Sequence, residues 1–126
     1  MKQFFSLLVA LSLLATAAHA AEPPASVNQM LNTLLISIEK NDIKSFHSVC
    51  NETMTLAMSP ELLSKVSAQV GKPLAAGYTK TYWGDVNRPE GMMGYYWKLH
   101  FESKPDHDLV AELWVVDGKV AGFYLR

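Results

Sequence analysis

The chain has 126 residues, 49% hydrophobic and 18% charged, with 11 basic and 12 acidic side chains. This excludes two ordinary domains, a disordered chain, and a nucleic-acid binder acting through bulk positive charge. A single cysteine, Cys50, excludes an intramolecular disulfide and with it a disulfide-stapled miniprotein.

The first twenty residues read as an export signal. Lys2 precedes an apolar run over residues 4–14, and Ala18-His19-Ala20 sets small residues around a cleavage point after Ala20. The run is shorter than the roughly 20 residues that span a bilayer. No later stretch is long and apolar enough to span one either. A cleaved signal peptide and a periplasmic or secreted mature chain are the expectation. Removing 20 of 126 residues leaves 106, with 10 basic and 12 acidic side chains. A domain of that size buries only about two thirds of its unfolded surface. It must use most of its apolar residues in one core or share some with a second subunit.

Residues 21–26 form a mobile, Pro-containing lead-in, with Ser26 as the N-cap of the first helix. Val27, Met30, Leu31, Leu34, Leu35 and Ile38 recur at helical spacing, which predicts a helix over 27–40. Asn41 ends it and Asp42 caps a second helix over 43–50. Residues 51–58 carry no clear pattern. Ser59-Pro60-Glu61 starts a third helix, which Gly71 and Pro73 should stop. All eight Tyr and Trp residues lie between Tyr78 and Tyr124, where the period becomes that of strands. Strands are expected over 78–86, 92–102, 109–116 and 119–125, with a loop at 103–107. Asp117-Gly118 is a two-residue hairpin turn, because a type I′ turn needs positive φ at both positions. The reading is an α+β fold, three N-terminal helices packed on an antiparallel sheet of about four strands.

The hairpin sorts the faces. With Val115 opposite Val120, Leu113 opposite Gly122 and Ala111 opposite Tyr124, those positions and Leu109 share a helix-facing side. Met93, Tyr95, Trp97, Leu99 and Phe101 join it if Phe101 pairs with Leu109. The other side then holds Glu112 opposite Lys98 and Trp114 opposite Tyr96, with Phe123 and Leu125 nearby. A charge pair beside an aromatic pair suits a face covered by a partner, a homodimer above all. Tyr96, Lys98, Glu112, Trp114 and Phe123 are its interface candidates.

Four stretches, IEKNDIKSF (38–46), MSPELL (58–63), YWKLHFESK (96–104) and ELWVVDGKVAGFYL (112–125), resemble the nuclear transport factor 2-like superfamily, also called the cystatin-like α+β fold. More narrowly they resemble its short secreted family, domain of unknown function 3887. The likeness covers residues 29–125. It implies a curved sheet wrapped around the first helix as a cone with a pocket, and frequent dimerisation through the outer sheet face. Some members of the superfamily are isomerases or dehydratases with an acid and a tyrosine in the cone; others only bind. No catalytic motif of the superfamily can be carried onto this sequence.

Tyr82, Tyr95, Trp97 and Tyr124, with Trp83 beside them, are the pocket candidates, since aromatic rings offer flat apolar area with a polar handle. Glu112 interrupts an apolar strand. Facing the cone, it would be a general base with Tyr124 or Tyr95 as donor; the register expected above puts it outside instead. His100, Glu102, Asp106, His107 and Asp108 are ligand types for a metal but lack metal-site spacing, so no metal and no cofactor are expected. His47 and Cys50 are helical neighbours rather than a nucleophilic pair, and Cys50 is expected to be buried and inert. Lys72, Lys80, Arg88 and Lys98 are dispersed among acids, which argues against nucleic acid. The functional expectation is an exported, non-enzymatic domain binding a small apolar or amphipathic ligand. An acid–tyrosine enzyme and an envelope protein-interaction module are the alternatives.

Overall fold

The computed structural model describes residues 22–126. Among these residues four helices precede the sheet, α1 (Ala25–Lys40), α2 (Ile43–His47), α3 (Glu52–Ala57) and α4 (Pro60–Ala76). Four strands follow, β1 (Tyr78–Asn87), β2 (Met93–Phe101), β3 (Lys104–Val116) and β4 (Lys119–Leu125). They form one antiparallel sheet in chain order. The α+β layout stands, with four helices among the described residues where three were expected. The proposed signal peptide lies outside the described residues.

Capping explains most helix boundaries. Asp42, Asn51 and Ser59 each accept a hydrogen bond from a backbone N–H three residues on, at 3.1, 2.9 and 3.1 Å. The Asn51 cap nucleates α3 in the stretch where no helix was expected. Asn41 closes α1 in the left-handed conformation, φ 53°. Ser26 is not a cap: α1 begins at Ala25, behind Pro24, with no side-chain cap. The second helix stops at His47 because residues 49–51 turn onto the sheet. Val120 N donates to Val49 O and Asn51 N donates to Val120 O, both at 2.9 Å, so the start of β4 gains a short parallel partner.

Gly71 and Pro73 do not end the third predicted helix; α4 continues to Ala76. Gly71 is buried against the Ile38 and Glu39 carbonyls of α1, and its missing side chain lets the two helices approach closely. Pro73 costs one intrahelical hydrogen bond in the last turns but buries its ring. The helix ends at Gly77, φ 117°, where a Cβ would lie 2.8 Å from a Glu102 carboxylate oxygen.

The core lies between the helices and one sheet face. Leu31, Leu34, Leu35 and Ile38 of α1, Phe46 of α2 and Leu63 of α4 pack with Trp97, Leu99, Leu113 and Val120. Sheet register departs from expectation in two places. Asp117 and Gly118 form the positive-φ turn, φ 50° and 74°, and Val115 pairs with Val120 as predicted. Ala121 is then a bulge: Trp114 pairs with Gly122, Leu113 with Phe123, Glu112 with Tyr124 and Ala111 with Leu125. The extra residue exchanges the faces of everything after it. Phe123 and Leu125 pack against the core, and Tyr124 leaves it. Between β2 and β3, Leu99 rather than Phe101 faces Leu109. This two-residue slip keeps the faces but changes the partners: Glu112 lies opposite Tyr96, Trp114 opposite Gly94, and Lys98 opposite Val110. Of residues 103–107, expected as a loop, 104–107 belong to β3. The ladder skips from Phe101–Lys104 to Leu99–Leu109, so Pro105 stands at an irregularity where its missing N–H breaks no pair.

Candidate functional site

Strand β1 sends Tyr78, Lys80 and Tyr82 toward the helices, opposite Phe101, Leu99 and Trp97. A bulge at Trp83 follows, and beyond it Asp85 pairs with Tyr95. Above this end of the sheet lies the start of α1. The gap between them is an open cleft of about 800 Å³, bordered by Glu22, Ala25, Asn28, Lys80, Tyr82 and Trp97. That volume falls in the range of ordinary ligand sites, about 300–1,000 Å³.

One wall is aromatic. The Tyr82 and Trp97 rings lie 5.4 Å apart at 53°, and Tyr95 backs Trp97 at 6.4 Å. Tyr82 donates a long hydrogen bond of 3.4 Å to Asp85 Oδ2. Burial first, and the Asp85 carboxylate second, push its phenol up to about 12. Tyr95 is raised for the same two reasons.

The other feature of the cleft is Lys80. Its ammonium donates to Asn28 Oδ1 at 3.0 Å and to Asn32 Oδ1 at 2.7 Å. These two amides lie one turn apart on the same face of α1. Burial pulls Lys80 below the ordinary lysine value. Among the described residues no carboxylate lies within ion-pair distance of it. Sequence reading grouped Lys80 with dispersed surface cations and passed over Asn28 and Asn32. The signal was nevertheless present: in Tyr78-x-Lys80-x-Tyr82 a lysine occupies the inward position between two inward tyrosines.

Of the four pocket candidates, Tyr82 and Trp97 border the cleft, while Tyr95 is buried behind Trp97. Tyr124 is on the far face, 47% exposed, with the Arg126 guanidinium 4.7 Å from its ring centre. Trp83, at the bulge of β1, is also exposed. Two smaller cavities, of about 220 and 140 Å³, lie between α4 and the β3–β4 half of the sheet and share Gln69, Val70 and Leu109.

The interface candidates divide. Phe123 turns inward and packs 6.5 Å from the Phe46 ring. Tyr96, Lys98, Glu112 and Trp114 share the outer face and are all half-buried within one chain. Trp114 lies across Gly94, where a Cβ would come within 2.6 Å of its ring. Its Nε1 donates to Glu112 Oε2 at 2.7 Å, Tyr96 meets it edge-on at 6.3 Å, and Arg88 lies 5.9 Å from the ring centre. The charge partner of Glu112 is Arg126 at 3.7 Å, not Lys98. Glu112 therefore stands away from the cleft, and the acid–tyrosine arrangement with Tyr95 is not built.

Two other groupings come apart as well. Cys50 Sγ donates to Phe46 O at 3.2 Å, while His47 Nε2 donates to Met58 O at 2.7 Å, so thiol and imidazole serve separate carbonyls. Burial pushes the Cys50 thiol up to about 11. His100 Nδ1 pairs with Asp108 Oδ1 at 2.7 Å, and no group of three metal-ligand side chains occurs among the described residues. Nor is any helix among them long and apolar enough to cross a membrane.

No family model matches this chain, and no curated protein matches its sequence.

Proposed function

We propose that this is an exported, non-enzymatic binding domain that holds a small apolar or amphipathic ligand in the cleft between α1 and β1. Export rests on the signal-like pattern of residues 1–20. The observation that carries ligand binding is the half-buried Tyr82 ring, backed by the buried Trp97, bordering an open cleft of ligand size. Flat apolar surface left open beside a polar rim is what a small amphipathic molecule covers. Likeness to cone-forming nuclear transport factor 2-like domains fits the same placement, beneath the first helix. Native mass spectrometry of freshly purified protein tests the reading. A small molecule retained by the wild type and lost in Tyr82→Ala supports it; a bare chain that takes up no apolar probe contradicts it.

In the same reading the domain pairs with a second copy through the outer face, around Tyr96, Trp114 and the exposed Tyr124. Light scattering decides this part: the mass of two chains is expected, and the mass of one would remove it.

A further inference from the structure

The cleft contains a cation whose direct hydrogen-bond partners are neutral. An ammonium has three N–H donors. Lys80 uses two of them on Asn28 and Asn32, which satisfy it without neutralising it. The amides also fix the head of a flexible side chain, so a ligand meets a charge already in position. A lysine that served only to cover apolar surface would extend its head into water. This one is drawn back under α1. The same cleft takes in Ala25, the first residue of α1, and that 16-residue helix has no side-chain cap at its N-terminus. The positive end of the helix dipole thus adds to the lysine charge. Two residues along the same face of β1 the lining is Tyr82, with the buried Trp97 ring against it.

Resting on the binding-domain reading above, we infer that the ligand class is a small organic anion, its oxyanion on Lys80 and its flat apolar body against the half-buried Tyr82 ring, which Trp97 backs. Paired hydrogen bonding and charge at one end, with ring contact at the other, discriminate against neutral molecules of the same shape. They also discriminate against inorganic anions, which have no body to stack. Glu22 is the one acid on the cleft border. It lies in the segment before α1 and sets a negative charge at the rim, which favours a singly charged ligand over a multiply charged one.

Calorimetric titration of the purified protein tests this with three probes: 3-phenylpropionate, its neutral amide 3-phenylpropionamide, and phenyl phosphate. Wild type should bind the carboxylate about tenfold more tightly than the amide, the difference expected for one charge-assisted hydrogen bond. Lys80→Met should erase that preference, and Lys80→Arg should keep it. Asn32→Asp gives Lys80 an internal counter-ion and should weaken the carboxylate alone. Phenyl phosphate binding more weakly than the carboxylate supports the singly charged class; tighter binding overturns that part. Equal binding of carboxylate and amide, or a preference that survives Lys80→Met in a folded protein, overturns the inference and leaves the binding reading intact. Absence of binding by all three probes overturns both.

Discussion

On the helix-facing side of the sheet, Trp97, Leu99, Leu113 and Val120 are closed off from solvent and packed on α1, α2 and α4. On the other side Tyr96, Glu112 and Trp114 stay partly open, held by a few directed contacts: a ring over a glycine, an indole N–H on a carboxylate, a guanidinium at each end. The first face is stabilised by area, the second by geometry. The inner face should therefore be costly to truncate, while the outer face should be sensitive to shape and tolerant of lost charge. The cleft lies at the edge of the inner face, between the start of α1 and β1.

The largest expected effect is on the inner side. Trp97→Ala should destabilise the protein by about 3–5 kcal/mol in urea denaturation, because a fully buried ring leaves a cavity that the sheet cannot close. Loss of less than about 1 kcal/mol would erase the distinction between the faces. Next is Gly94→Ala on the outer face, expected to cost about 1–3 kcal/mol by displacing the Trp114 ring. Combining it with Trp114→Ala should give a total well short of additive, since the second change removes the obstructing ring. Additive losses would mean that Trp114 does not lie where Gly94 leaves room. Glu112→Gln should cost about 1 kcal/mol or less, as Gln still accepts from the indole and Arg126 is largely exposed.

The last effect is a pH dependence, absent at neutral pH. Cys50 and Tyr82 hold their protons more tightly folded than unfolded, at about 11 and about 12 against ordinary values of 9.0 and 10.0. Their contribution is complete below those ordinary values and is lost as pH rises through the folded ones. Urea midpoints should fall between pH 9 and 12, and Tyr82→Phe should flatten the upper part of that decline. At pH 8 roughly one Cys50 in a thousand is thiolate, so iodoacetamide should label the unfolded protein and spare the native one.

Much of the fold was legible because local signals coincide with it. The α1 stripe, the Asp42 and Ser59 caps and the Asp117-Gly118 turn all depend on residues close in sequence. What escaped depends on partners distant in sequence. Gly71 and Pro73 read as stop signals, yet α1 is positioned to receive Gly71, and burial of Pro73 offsets its lost hydrogen bond. The bulge at Ala121 moved Tyr124 out and Phe123 in. A hint was available, since Val120 and Phe123 are both large and apolar yet three residues apart, which strict alternation cannot put on one face. Lys80 was hidden for a different reason. Its strand position marked it as inward, but only the placement of Asn28 and Asn32 on α1 shows how a charge is accommodated there.

The central claim is that a ligand enters the inner-face cleft and not the outer face. The indole N–H signals of Trp97 and Trp114 report the two faces separately. An ¹⁵N NMR titration with 3-phenylpropionate should shift the Trp97 indole and leave Trp114 unmoved. A shift of Trp114 with Trp97 silent, or no shift of either at saturating probe, would contradict the account.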